Sequence, residues 1–208
     1  MAERLIIKPG IPRSPSFRIL LIIGLFSISY LIHAQQLTGL IDYSESLKAK
    51  GLKFSISSPE GWIVREGKNP NAVVEFVNNN SGDSFNVVIT HGATFVSRDE
   101  FRNLQSTIID PYKEEIRKVF TSVINVSHEL ITLDNYPFLK FVSEGNIYSD
   151  ITGDTPCRMI TYVAYIEDLI ITMTGMEFSY HHSNNKNMNL FDRVARSISL
   201  YEQYEYSH

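Results

Sequence analysis

From Leu52 to Ser57 apolar and polar residues alternate (LKFSIS), which is the period of a half-buried strand. Pro59-Glu60-Gly61-Trp62 predicts a turn that feeds a second short strand, Trp62 to Arg65. Ala72 to Val77 and Ser84 to Thr90 predict two more, joined by the turn residues Asn78 to Asp83 (NNNSGD) as a hairpin. The period then changes. Phe101, Leu104, Ile108, Tyr112 and Ile116 recur at three and four, one face of a helix. Ser97, with Glu100 three residues later, predicts a capping box at its start. Pro111 falls inside this pattern, so either the helix kinks or a second one begins there with Asp110 as cap. Strand period returns over Val123–Leu133, turns at Asp134-Asn135, and goes back over Tyr136–Ser143. The polar stretch Glu144–Pro156 predicts a loop. Cys157–Ile166 and Leu169–Met176 predict two β-branched strands that turn at Glu167-Asp168. Met188, Phe191, Ala195 and Ile198, with Val194 beside them, predict a final helix.

The order is four strands, a helix, four strands, a helix. Short turns between consecutive strands imply an antiparallel sheet, and each helix must bury its apolar stripe against it. The predicted class is α+β, an antiparallel β-sheet sandwiched by helices. Residues 35–50 are polar and mixed, and predict a flexible lead or a short helix. Residues 51–200 form a single domain and 201–208 a frayed polar and aromatic tail.

The first 34 residues differ from the rest. Arg4, Lys8, Arg13 and Arg18 precede an uncharged apolar run, Ile19–Ile32, which ends near Ala34. Fourteen residues are short for a bilayer span, which needs roughly 20, and match the core of a secretory signal peptide. Cleavage after Ala34 predicts a periplasmic or extracellular protein; an uncleaved leader would anchor the domain to a membrane. Of 19 basic and 23 acidic residues, the leader holds four and one, so the mature chain carries 15 and 22. That balance argues against nucleic acid as a partner. One cysteine excludes an internal disulfide and any multi-cysteine metal site.

Phe54-Ser55-Ile56-Ser57-Ser58-Pro59-Glu60-Gly61-Trp62 is a strand ending in Pro-x-Gly-Trp. With the element order over Leu52–Leu200, it resembles the PsbP-like superfamily. That group includes the extrinsic oxygen-evolving protein of photosystem II, a eukaryotic Ran-binding protein and many bacterial envelope proteins. The resemblance implies an antiparallel sheet between helices, and a role in binding partners or assisting assembly rather than in catalysis. The photosystem protein has a basic N-terminal extension, which residues 35–50 lack. No photosystem role and no metal-binding residues are therefore carried over. Gly61 permits the tight bend and Trp62 is expected to fill core.

The chemistry motifs are weak. His128-Glu129 opens an H-E-x-x-H pattern, but Thr132 stands where the second histidine belongs, on a strand. Gly61–Lys68 has five residues between its glycines and Asn69 after the lysine, which is not a phosphate loop. His181-His182 is expected on a solvated turn. His91, beside Gly92, could meet Asp83 or Asp99. Cys157 is expected as a small buried hydrophobe, because no motif places a histidine beside it. Asp150, Thr152, Gly153, Asp154 and Thr155 are oxygen-rich without the order of a calcium loop. Asn79 and Asn125 begin glycosylation sequons, relevant only in a eukaryotic secretory host. Tyr148, Tyr162, Tyr165, Tyr180, Tyr201, Tyr204 and Tyr206 crowd the C-terminal half; tyrosine is enriched at interfaces, but it is equally a good strand residue, and strand propensity is the favoured account.

No catalytic, cofactor-binding or metal residues are assigned. The expected function is an exported, non-enzymatic binding or assembly module of the cell envelope. Its protein or peptide partner would be taken at the sheet edge or the Glu144–Pro156 loop. The alternatives are a small-ligand carrier or hydrolase with a pocket between sheet and helix, and a membrane-anchored accessory subunit.

Overall fold

Alternation in the sequence becomes two buried faces on one sheet. The computed structural model describes residues 36–149, 153–178 and 186–201. The strands are β1 (Leu37–Asp42), β2 (Phe54–Pro59), β3 (Ile63–Arg65), β4 (Ala72–Val77), β5 (Ser84–Val96), β6 (Ser122–Leu133), β7 (Tyr136–Ser149), β8 (Gly153–Phe178) and β9 (Ser199–Leu200). Among the described residues, two α-helices, α1 (Arg98–Val119) and α2 (Lys186–Arg196), and a 3-10 turn at Leu47–Ala49 accompany them. The large sheet has the order β3-β4-β5-β8-β7-β6, and the small one β1-β2-β9. The pairings are antiparallel throughout.

β8 is a hairpin of two arms. Thr161 and Thr174 would stand about 43 Å apart along a straight strand, yet their hydroxyl oxygens lie 3.5 Å apart. Arg158 likewise reaches Glu177 at 3.9 Å. Both pairs are equidistant from the Glu167-Asp168 turn, where Glu167 takes a left-handed φ of 59°. The first arm pairs with β7 and the second with β5. Both arms are interior strands, covered on two faces. That is why Cys157–Ile166 reads as a nearly unbroken apolar run.

One face of the large sheet is covered by α1. Phe101, Ile116 and Phe120 pack there on Leu139, Phe141, Cys157, Met159 and Val163. The other face is covered by α2 and the small sheet, through Leu190, Phe191, Val194, Phe54 and Ile56 on Phe76, Phe85, Val87, Ile160 and Met173. The layers are helix, sheet, and helix with a second small sheet. Trp62 is buried and meets the Phe191 ring edge-on, with centroids 6.0 Å apart. α2 sits close because residue 175 is glycine: a Cβ there would fall 2.4 Å from Phe191 Cγ.

Several expectations hold locally. Ser97 Oγ accepts from Glu100 N while Ser97 N donates to Glu100 Oε2, closing the capping box. Asp134 and Asn135 both have positive φ, as the tight β6–β7 hairpin requires. Pro111 lies inside a single helix that runs on to Val119. Two expectations are corrected. Part of residues 35–50 forms strand β1, whose register on β2 includes Ile41↔Ile56. Glu144–Pro156 is mostly strand, because β7 continues to Ser149 and pairs with β8 from Gly153 onward.

Candidate functional site

On the α2 side of the large sheet, cross-strand register builds three rows. Glu129 of β6 is level with Lys140 of β7 and Tyr162 of β8. Next come Ser127, Val142 and Ile160, and then Asn125, Glu144 and Arg158. A weakly polar middle row is thus flanked by two charged ones. Side chains at alternate positions of a strand share a face, so each of the three strands contributes i, i+2 and i+4. α2 stands alongside, and a cleft of about 360 Å³ lies between it and the rows. Lys140, Val142, Glu144, Arg158 and Ile160 line the sheet side, with Met188, Asn189 and Asp192 on the helix.

Asp192 organises one end. Its Oδ1 accepts from Tyr162 Oη at 2.8 Å and faces Lys140 Nζ at 3.2 Å, while Oδ2 accepts from Arg196 Nε at 2.6 Å. Burial by itself would raise this carboxyl. The donors Arg196, Tyr162 and Lys140 outweigh it and hold Asp192 below the usual carboxylate range. Lys140 also meets Glu129 at 2.9 Å. Burial disfavours its charge, but Glu129 and Asp192 more than restore it, so the amine is held protonated. The Tyr162 hydroxyl is pushed far up by burial and by the Asp192 carboxylate, and stays a neutral donor. At the other end Arg158 Nε donates to Glu144 Oε1 at 2.8 Å, with the buried Glu177 behind it. Each charged side chain lining the cleft therefore has an opposite charge within 4 Å. Lys140 and Asp192, stabilised in their charged forms, are poor proton carriers near neutrality. The arrangement is suited to recognising an amphipathic ligand by shape and charge.

The residues singled out in the sequence lie elsewhere. His91 Nδ1 meets Asp168 at 3.6 Å on the surface. It does not pair with Asp83, which is buried, or with Asp99, which faces Arg102. His128 sits on β6 with its ring against Phe141, so no helical zinc motif forms. Cys157 is buried on the α1 side, and burial, then the charges of Asp83 and Glu177, push its thiol up to about 12. Gly61 turns the chain into β3, and Lys48 Nζ donates to the Gly67 carbonyl, so this stretch cradles no phosphate. Asp154 accepts from Thr121 Oγ1 at 3.0 Å, which ties the hairpin end to the entry of β6. Asp150, Thr152 and His181-His182 lie outside the described residues, as do Tyr180, Tyr204, Tyr206 and the leader. Tyr148, Tyr162 and Tyr165 occupy strands, and Tyr162 alone of these reaches the cleft network.

Sequence reasoning passed over Lys140, Glu144, Arg158 and Asp192. The signal was faint but present. Lys140-x-Val142-x-Glu144 puts charge, apolar group and opposite charge on one strand face.

No protein-family model matches the sequence, and no curated protein is similar to it. Solved structures are similar in fold. Cyanobacterial PsbP (CyanoP) from Synechocystis sp. PCC 6803 superposes with a TM-score of 0.50 at 17% identity, covering 81% of this chain and 94% of that one. The Ran-binding protein Mog1p of Saccharomyces cerevisiae gives 0.48 at 8%, over 80% and 96% of the two chains. LpqN of Mycobacterium tuberculosis, described as involved in cell envelope biogenesis, gives 0.46 at 10%, over 72% and 83%. The likeness to CyanoP shows that the fold is PsbP-like.

Proposed function

We propose that this chain is an exported, non-enzymatic binding or assembly module of the cell envelope, and that a segment of a protein partner lies along the three rows beside α2. The observation that carries this reading is the half-covered sheet face. Beyond α2 the same-face side chains Asn125, Ser127 and Glu129 of β6 are exposed and Lys140, Val142 and Glu144 of β7 are half-buried, with Val142 as floor between two charged rows. Apolar contact there supplies affinity, and the flanking Lys140–Glu129 and Glu144–Arg158 pairs set the register of the bound segment. Export is supported by the basic residues and the apolar run before Ala34. Among the described residues, no helix is long and apolar enough to cross a membrane.

The test is affinity purification from the native envelope with Asn189→Arg and Val142→Glu as controls. Asn189 is exposed at the cleft mouth, so its variant should unfold at the wild-type temperature; Val142 packs in part against the core, so Val142→Glu should unfold somewhat lower yet stay folded at the temperature of the purification. The wild type should retain a stoichiometric protein that both variants lose, and its mass should show a chain beginning at Gln35. A partner that both variants keep overturns the reading.

A second reading is a small-ligand carrier. It is favoured by the cleft volume, about 360 Å³, which falls in the range of small-molecule sites. Each end of the cleft carries both signs of charge, which suits a small polar ligand. Native mass spectrometry of the protein from its host should then show one added small mass, absent from Asn189→Arg. A clean mass in both ends this reading.

A further inference from the structure

In both ion pairs that flank the middle row, the cation lies deep and the carboxylate lies outermost. Lys140 is 16% exposed against 59% for Glu129, and Arg158 is 13% exposed against 30% for Glu144. Sheet order explains this. In each pair the carboxylate stands one strand nearer the β6 side and the cation one strand nearer the middle of the sheet. Long basic side chains bury their stems and still reach a partner, while the carboxylates keep their contact with water. An incoming chain therefore meets Glu129 and Glu144 before it meets Lys140 or Arg158.

The two outer carboxylates bracket an apolar gap. Val142 lies between Lys140 and Glu144 on one face of β7, with Ile160 level with it and Met188 on the helix side of the cleft. Glu129 is level with Lys140, so it stands two rows from Glu144. Two rows are four residues of extended chain, about 13 Å. Asn125 and Ser127 on β6 and Asn189 on α2 are exposed neutral groups beside the gap, suited to the backbone of a bound segment. Arg196 is also exposed, but it belongs to α2 and pairs with Asp192 there, which leaves the Glu129 side open to a positive charge.

We propose that the partner segment taken up along the rows is basic: an extended stretch with lysine or arginine at two positions four residues apart and an apolar side chain midway between them. This deepens the cleft reading above and rests on it. Side chains i, i+2 and i+4 of an extended chain share a face at the pitch of the rows. The apolar side chain covers Val142, and the two basic heads meet Glu129 and Glu144. Lys140 and Arg158 already hold those carboxylates in place, so binding has little left to order. An acidic segment would bring like charge against both outer carboxylates before reaching either cation beneath. The 22 acidic and 15 basic residues of the mature chain add a long-range attraction of the same sign.

Fluorescence anisotropy with three labelled nine-residue peptides tests this on the exported protein. The first has lysine at its third and seventh positions, leucine at its fifth and serine elsewhere. The second has glutamate in place of both lysines. The third moves one lysine a single position inward. The first should bind at least about tenfold more tightly than the second and about threefold more tightly than the third. Its affinity should fall with added salt. Glu129→Gln and Glu144→Gln should each weaken it about threefold, and the double variant about tenfold, since the two sites are too far apart to couple. Thermal unfolding confirms that the variants are folded.

A lysine peptide that does not bind, a glutamate peptide that binds as tightly, or a double variant of unchanged affinity overturns the proposal. The envelope partner separates this failure from that of the cleft reading. A partner lost by Asn189→Arg but kept by the double glutamine variant leaves the cleft standing and removes its preference for basic segments. A partner that Asn189→Arg and Val142→Glu both keep removes the cleft reading itself.

Discussion

Asn187 Nδ2 donates to Asp83 Oδ2 at 2.8 Å, joining the start of α2 to a turn 104 residues earlier in the chain. The same carboxylate accepts from Phe178 N at 2.8 Å through Oδ1 and from Ser81 Oγ at 2.5 Å through Oδ2. Phe178 ends β8 and Asn187 lies in the first turn of α2, so one buried side chain fixes both ends of the connection between them. The Asp83 clamp thus helps to hold the helix wall of the cleft.

Asp83→Ala should therefore destabilise the fold by about 2–3 kcal/mol, since it leaves a buried amide and a side-chain amide without their acceptor. Urea unfolding measures the loss. Asp83→Asn keeps one acceptor oxygen and should lose about half as much. An alanine variant as stable as wild type would mean that the clamp contributes nothing.

The Asp192 network makes stability depend on acid. The folded state holds this carboxyl below its ordinary 3.8, so its contribution is full above that value and is lost as pH falls through the lowered one. Urea midpoints of wild type and Asp192→Asn should be well separated at neutral pH and converge in acid, below the usual carboxylate range. Tyr162→Phe removes one of the donors and should cost about 1–2 kcal/mol at neutral pH. Midpoints that stay parallel through the acid range would count against the network.

Gly175→Ala tests the approach of α2 to the sheet. The new methyl would lie 2.4 Å from Phe191 Cγ and 2.6 Å from its Cδ2, so the helix must lift. Overpacking of this kind costs about 1–3 kcal/mol. Phe191→Leu alone should also destabilise, but the double variant should recover part of the sum. Full additivity in thermal unfolding would show that the two groups do not meet.

Cys157 should resist thiol reagents in the folded protein. Burial and the nearby Asp83 and Glu177 carboxylates hold its thiol at about 12, so almost no thiolate exists at pH 8. Labelling with an aromatic disulfide should follow the unfolding transition in urea, with no fast phase in its absence. Rapid labelling of the native chain would place Cys157 at an accessible site.

The candidate site was less legible than the elements that carry it. Glu144–Pro156 reads as a loop because it is polar, yet Glu144 is level with Arg158 across the β7–β8 pair and their charges cancel. Polar residues are stable in a strand when each has its complement beside it, and the complement is 14 residues away. β1 was missed for a related reason. It is an edge strand with largely exposed side chains, so burial imposes no alternation on LTGLID. His91 was weighed against Asp83 and Asp99, but β5 lies beside the second arm of β8 and brings it to Asp168 instead.

Where the physics is local, the amino-acid order was sufficient. The Ser97–Glu100 capping box, the Asp134-Asn135 turn, the Glu167-Asp168 reversal and the burial of Trp62 involve neighbours within a few residues or one side chain's own apolar area. The tertiary structure alone decided which strands became neighbours. The three rows beside α2 and the Asp83 clamp both depend on that choice. Periodicity states which face of a strand is buried; it carries no term for what lies alongside, because that energy arises between segments far apart in the chain.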